Sequence, residues 1–241
     1  MATTKYIFWD FDGTLAYRDG MWTDALLCVL VNNGITSIQK EEIRPFLNIG
    51  FTWHSPDTPH SELFCGKKWW EYYEDYFQEI YEKLGIDSII SNKLCKEVKN
   101  EYLDIKKWHL YTDTENALKA LIQNNYRNVI ISNHVPELSE IVKKLEVNQY
   151  FYRIYSSGNI GYEKPNKKIY DYVIKDLQAN RDDCIMIGDS YDADIAGAIR
   201  SNIKSILVRK ENNKNYKWFC SNLENIQATI ELVHESNRKI T

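Results

Sequence analysis

Four-residue apolar runs separated by longer amphipathic stretches constrain this chain more than anything else in it. Tyr6-Ile7-Phe8-Trp9 ends at Asp10, Asn128-Val129-Ile130-Ile131 ends at Ser132, and Cys184-Ile185-Met186-Ile187 ends at Gly188-Asp189. Arg153-Ile154-Tyr155-Ser156 and Ser205-Ile206-Leu207-Val208 complete the set. Runs this short, with little polar alternation, fit strands buried on both faces. The spacing between them predicts helices. Glu115 to Asn124 gathers Ala117, Leu118, Leu121 and Ile122 on one side, and Glu137 to Leu145 gathers Leu138, Ile141, Val142 and Leu145. Lys167 to Leu177 does so with Ile169, Tyr170, Val173, Ile174 and Leu177, and Ala193 to Arg200 follows the fourth run. Strand alternating with helix implies an α/β fold: a Rossmann-like parallel sheet with helices on both faces and right-handed crossovers.

The stretch from about Tyr17 to Trp108 breaks the rhythm. It reads as helices only, over Thr23 to Asn33, Lys40 to Leu47, Lys67 to Leu84 and Ile89 to Tyr102, with a Pro-containing loop from Phe51 to His60. A helical block of this length between the first two strands predicts an inserted all-helical domain over residues 17–108, with a core made of residues 1–16 and 109–241. Much of the chain's content of 7 Trp and 17 Tyr falls inside the block. Aromatics fill cores, so most are expected to pack the helical layer, with one or two facing a ligand. A final helix is expected from Asn222 to Glu235, using Leu223, Ile226, Ile230 and Val233.

A net charge of −4 excludes the broad basic field that nucleic-acid binding needs. No run of about 20 apolar residues and no leader-like N-terminal segment is evident, so neither a membrane span nor secretion is expected. The 5 cysteines form no C-x-x-C pair and read as buried thiols of a reducing, cytoplasmic compartment.

In an open parallel sheet, ligands bind beyond the carboxyl ends of the strands. There the sequence gathers Asp10-Phe11-Asp12-Gly13-Thr14, Ser132-Asn133, Lys164-Pro165 and Gly188-Asp189-Ser190, with Asp192 and Asp194 just after. Grouped carboxylates repel unless a cation lies among them. A donor set of oxygens without His or Cys favours a hard ion such as Mg2+. A lysine, a serine hydroxyl and backbone N–H groups would complete an anion site. Such an assembly suits phosphoryl transfer, where positioning and charge stabilisation dominate. In an extended strand end, the Asp-x-Asp spacing puts two carboxyls on one side. One could attack phosphorus while the other protonates the leaving oxygen.

In order, Asp10-Phe11-Asp12-Gly13-Thr14-Leu15, Ser132-Asn133, Lys164-Pro165 and Gly188-Asp189-Ser190-x-x-x-Asp194 resemble the four motifs of the haloacid dehalogenase-like superfamily. The helical block resembles the cap of its phosphoglycolate-phosphatase-like branch. The resemblance implies a Mg2+-dependent phosphatase acting on a small phosphorylated metabolite through an aspartyl-phosphate. It makes Asp10 the nucleophile and a metal ligand. Asp12 becomes the acid and then the base, with its backbone carbonyl on the metal. Ser132 and Asn133 hold the phosphoryl group, Lys164 balances charge, and Asp189 and Asp194 serve the metal. Thr14 orients the loop at the substrate side. Dehalogenases of the superfamily lack an acid at the Asp12 position, because a halide leaves without a proton, so Asp12 argues for a phosphate ester.

Each motif alone has an ordinary explanation as a turn, a surface loop or a helix start. Their joint order does not, although Asp192 is left as structural. A phosphotransferase or sugar phosphomutase on the same site, or a non-catalytic binding protein of the same fold, stays open at this point. His134 is a candidate to touch the leaving group, and Arg18 and Trp22 are expected near the substrate at the cap hinge.

Overall fold

The protein is described by a computed structural model covering residues 4–58, 60–63 and 66–238; Cys65 lies outside them. In chain order the elements are β1 (Lys5–Trp9), β2 (Ala16–Arg18), α1 (Met21–Asn32), α2 (Lys40–Ile43), α3 (Gly66–Lys83), α4 (Ser88–Cys95), α5 (Val98–Tyr102) and β3 (Trp108–Leu110). They continue with α6 (Thr114–Gln123), β4 (Tyr126–Ser132), α7 (Leu138–Lys144), β5 (Phe151–Ser156), α8 (Ser157–Ile160), α9 (Lys167–Leu177), β6 (Cys184–Gly188), α10 (Ala196–Arg200), β7 (Lys204–Val208), β8 (Phe219–Cys220) and α11 (Ile226–Arg238).

Six strands form one parallel sheet in the order β5-β4-β1-β6-β7-β8. Its two faces are read directly from alternate residues. Ile7 and Trp9 of β1, Ile130 of β4 and Ile185 and Ile187 of β6 share one core with α6, α7 and α11. Tyr6 and Phe8, Val129 and Ile131, and Cys184 and Met186 point the other way, against Ile169, Tyr170 and Val173 of α9 and Ala198 of α10. The molecule is thus the expected Rossmann-like α/β fold. Asn128, a polar residue inside β4, is buried but satisfied: its Oδ1 accepts from Trp9 Nε1 at 3.0 Å, and its Nδ2 donates to the Leu118 and Tyr150 carbonyls.

Helices α1 to α5 all fall between β2 and β3. Helix α1 buries Trp22, Ala25, Leu26, Val29 and Leu30, the 3–4 spacing of a single apolar stripe. Helix α3 buries Trp69, Trp70, Tyr73, Phe77, Ile80 and Tyr81. The aromatics interlock around Trp22, which stacks on Tyr102 with centroids 3.8 Å apart and meets Phe51 at 5.2 Å and Phe77 at 5.4 Å.

The structure departs from the sequence reading in several places, among them the expected Lys40 to Leu47 helix, which stops at Ile43 and passes into a 3-10 turn over Arg44–Asn48. Residues 17–108 are not bounded by helices alone: β2 and β3 pair antiparallel, with Ala16 opposite Leu110 and Arg18 opposite Trp108. Three-residue strands are too short to show a period. The expected Ile89 to Tyr102 helix is broken into α4 and α5. The helix after β6 opens with a π-helical turn over Tyr191–Ile195. Strand β8, two residues long, was invisible to pattern reading for the same reason as β2 and β3.

Candidate active site

Three adjacent strands, β4, β1 and β6, deliver the acidic and hydroxyl groups to one edge of the sheet. Asp10 follows β1 directly and is tied to the neighbouring strand by its N–H, which donates to the Ile187 carbonyl at 2.9 Å. Its Oδ1 accepts from the Ser132 hydroxyl at 2.9 Å and from Lys164 Nζ at 2.6 Å. Lys164 also donates to Asp194 Oδ1 at 2.6 Å, so one buried ammonium bridges two buried carboxylates. Burial works against the Lys164 charge, but Asp10 and Asp194 outweigh it and raise the ammonium's pKa.

Oxygens of Asp10, Asp189 and Asp194 lie within 4.8 Å of one another. This all-oxygen donor set fits a hard divalent cation such as Mg2+. The backbone fits as well. Gly13 has φ +82, and a Cβ there would sit 2.6 Å from Asp189 Oδ2. Only glycine lets the Asp12–Gly13 backbone pass so close to that carboxylate. Asp194 is held twice, since its Oδ2 accepts the Ser190 N–H at 3.0 Å while Oδ1 meets Lys164. The π-helical turn directs it back under Gly188, where a Cβ would come within 2.1 Å of its Oδ2. Burial, with Asp10 close by, raises the carboxyl pKa of both Asp189 and Asp194.

Asp12 lies two residues past Asp10, within reach of the charges of Asp10 and Asp189. Its pKa is pushed well up, first by burial and then by the charges of Asp10 and Asp189. Although 21% of its side chain remains accessible, its Oδ1 is enclosed and has no hydrogen-bond partner. The accessible part opens on a cavity of about 250 Å3 lined also by Met21, Trp22, Trp53, Tyr102, Asn133, His134 and Val135.

The remaining sequence candidates sit nearby in different ways. Thr14 is fully buried, and its hydroxyl reaches Asp189 Oδ1 at 3.4 Å. Asn133 borders the cavity, but its carboxamide clamps the main chain of Lys164: Nδ2 donates to the Lys164 carbonyl at 2.8 Å and Oδ1 accepts its N–H at 2.7 Å. Asp192 is exposed and outside the carboxylate group. Of the two hinge residues, Trp22 lines the cavity and Arg18 does not contribute a cation to it. The Arg18 guanidinium is spent on the carbonyls of Asp19, Met21, Glu101 and Tyr102 and on the Glu101 carboxylate.

Pattern reading missed Lys210, Arg209 and Glu163. Lys210 Nζ pairs with Asp189 Oδ2 at 2.5 Å. Arg209 donates to the Thr14 carbonyl at 2.6 Å and forks onto Asp113. Both follow β7, so a basic pair past the fifth apolar run was the available signal. Glu163, beside Lys164, is buried with Oε2 unpaired, and nothing in its sequence setting marked it.

With fold and site in hand, comparison with known proteins defines the class. The chain belongs to the haloacid dehalogenase-like hydrolases, whose family model matches residues 7–208. Over 102 residues it is 28% identical to the glyceraldehyde 3-phosphate phosphatase of Methanothermobacter thermautotrophicus, covering 42% of this chain and 45% of that one. Over 121 residues it is 26% identical to the Escherichia coli pyrimidine 5'-nucleotidase YjjG, covering 47% and 54%. The chain therefore spans about half the length of these two relatives. Among solved structures, the putative HAD-hydrolase YfnB of Bacillus subtilis, bound to magnesium, matches with a TM-score of 0.72 at 16% identity, over 95% of this chain and 100% of that one. Among the described residues, no helix is long and apolar enough to cross a membrane.

Proposed function

We propose that this hydrolase is a Mg2+-dependent phosphatase that cleaves a small-molecule phosphate monoester through a phosphoryl group carried on Asp10. One observation carries the reading: the Asp12 carboxyl lines a cavity able to take a leaving group, and it is close enough to Asp10 for that carboxylate, after burial, to raise its pKa. A Mg2+ ion among Asp10, Asp189 and Asp194, joined by the Asp12 backbone carbonyl, would offset acid and phosphate charge.

In the first step an Asp10 oxygen bonds phosphorus as the ester P–O bond breaks, and Asp12 gives its proton to the departing alkoxide. In the second, Asp12 takes a proton from water as the water oxygen attacks phosphorus and frees Asp10. Ser132 and Lys164 hold the transferring group, with the N–H groups around Asn133 as further donors. Thr14 and Asn133 act chiefly by fixing Asp189 and Lys164. Residues 17–108 act as a cap that chooses the substrate, over a core of residues 1–16 and 109–241 that does the chemistry. The phosphatase and nucleotidase names of the relatives support a phosphorylated metabolite as substrate. The free thiols of Cys28, Cys95, Cys184 and Cys220 support a cytoplasmic setting.

The test is release of inorganic phosphate from 4-nitrophenyl phosphate and a panel of phosphorylated metabolites, with and without Mg2+. Activity should vanish with chelator and in Asp10→Asn. In Asp12→Asn it should fall by about 10²–10⁴ with an alkyl ester. Full turnover in Asp10→Asn would sink the reading, and an isomerised phosphate ester in place of free phosphate would make the enzyme a mutase.

A further inference from the structure

The cavity beside Asp12 has a chemical character that narrows the substrate. Trp22, Trp53, Tyr102, Met21 and Val135 give it aromatic and apolar walls, and among the described residues no Lys or Arg lines it. Three cations of the surrounding elements are engaged elsewhere. Arg18 lies behind Tyr102, 5.4 Å from its ring centroid, with its guanidinium on four carbonyls and Glu101. Lys99 is paired with Glu137 at 2.6 Å, and Lys164 is shared by Asp10 and Asp194.

Two polar atoms of the lining, Asp12 Oδ1 and His134 Nε2, are buried without a hydrogen-bond partner. His134 is 2% exposed. Its Nδ1 faces the Val135 carbonyl at 3.4 Å. A carbonyl only accepts, which puts the ring proton on Nδ1 and leaves Nε2 as an acceptor. The polar atom facing Nε2 is Asp12 Oδ2 at 3.6 Å, beyond hydrogen-bond reach, so the acceptor is left for a donor from a ligand beside the Asp12 carboxyl. The volume of about 250 Å3 is roughly eight water volumes, room for one ring with its substituents.

Resting on the phosphatase reading above, we propose that this cavity receives the leaving group and selects an uncharged alcohol with a flat or apolar face and a hydroxyl or N–H that meets His134 Nε2. An alcohol carrying a carboxylate or a second phosphate would place that anion against aromatic faces, which are negative at their centres, with no cation to pair it.

The experiment compares kcat/KM of the Mg2+-loaded enzyme for two sets of monoesters. One holds 4-nitrophenyl phosphate and nucleoside 5'-monophosphates, whose leaving alcohols are neutral. The other holds 2-phosphoglycolate, 3-phosphoglycerate and a hexose bisphosphate. The best neutral-alcohol ester should exceed the best anionic one by at least about 100-fold. Comparable or higher values for the anionic set, with phosphate still released from the neutral set, would overturn this inference and leave the phosphatase reading standing. No release from any ester would remove both.

A second measurement moves the ratio itself. Trp53 is half-buried in the short 3-10 turn Thr52–His54, and Trp53→Arg sets a cation in the wall. The neutral-over-anionic ratio should then shrink about tenfold, through a rise in kcat/KM for the carboxylated esters. An unchanged ratio in a variant with native circular dichroism counts against the assignment. If that variant does not fold, the wild-type comparison decides alone.

Discussion

His134 shows how much one side chain can reveal. Burial lowers its pKa from 6.5 to about 4, so the folded molecule holds a neutral imidazole. As pH falls from about 6.5 toward 4, the unfolded chain takes up a proton that the native state refuses. The stability tied to neutral His134 is complete above about 6.5 and is lost as pH drops toward 4, about 3 kcal/mol in all. In urea unfolding without divalent ion, wild type should lose about 2 kcal/mol more than His134→Gln between pH 7.5 and pH 5. Equal losses would show that the imidazole charges freely in the native state. At this scale much of the candidate site was legible. Asp10, Ser132, Lys164, Asp189 and Asp194 end strands or open the turns that follow them, and a strand end is a place that sequence can mark. Lys210, Arg209 and Glu163 were not legible, because their importance comes from what a distant segment brings to them: Asp189, Thr14 and the loop at Thr52.

Among elements, the ribbon of β2 and β3 bears the most on how the helical segment is held. Arg18 in β2 is 3% exposed and ties the ribbon to α5 through the carbonyls of Glu101 and Tyr102 and an ion pair of 3.1 Å with Glu101. Arg18→Met should cost about 3 kcal/mol, because it strands buried carbonyls and a carboxylate together. A shift in the urea midpoint with little change in slope would register it, and a loss under about 1 kcal/mol would mean that water or Lys107 takes over the role. The five long strands of the sheet and helices α1, α3, α6, α7 and α9 were readable because each spends its apolar residues at one period over several turns or on both faces of the sheet. The ribbon and β8 carry no such period. Helix α4 ends and α5 begins within a run whose spacing still looked continuous, so only packing reveals the break.

Over the whole molecule, the helical segment shares one apolar cluster with the sheet, where Phe11 meets Trp108, and adds a few discrete polar ties. Glu137, just before α7, accepts from Trp70 Nε1 at 2.9 and 3.0 Å and pairs with Lys99 at 2.6 Å, and Asn166 donates to the Pro56 carbonyl at 2.8 Å. Glu137→Ala should cost only about 1–2 kcal/mol globally while speeding amide exchange at the start of α3 about tenfold. Unchanged exchange there would show that apolar contacts alone hold the two parts together. The sheet order has a consequence of another kind. Strand β1 ends next to strands that lie more than a hundred residues further along, and the groups around Asp10 come from residues 132, 164, 189 and 194. On the ribosome, the first acids are made early and remain without neighbours until most of the chain has emerged. A product cut short before residue 189 therefore lacks two of the three clustered carboxylates and has no working centre.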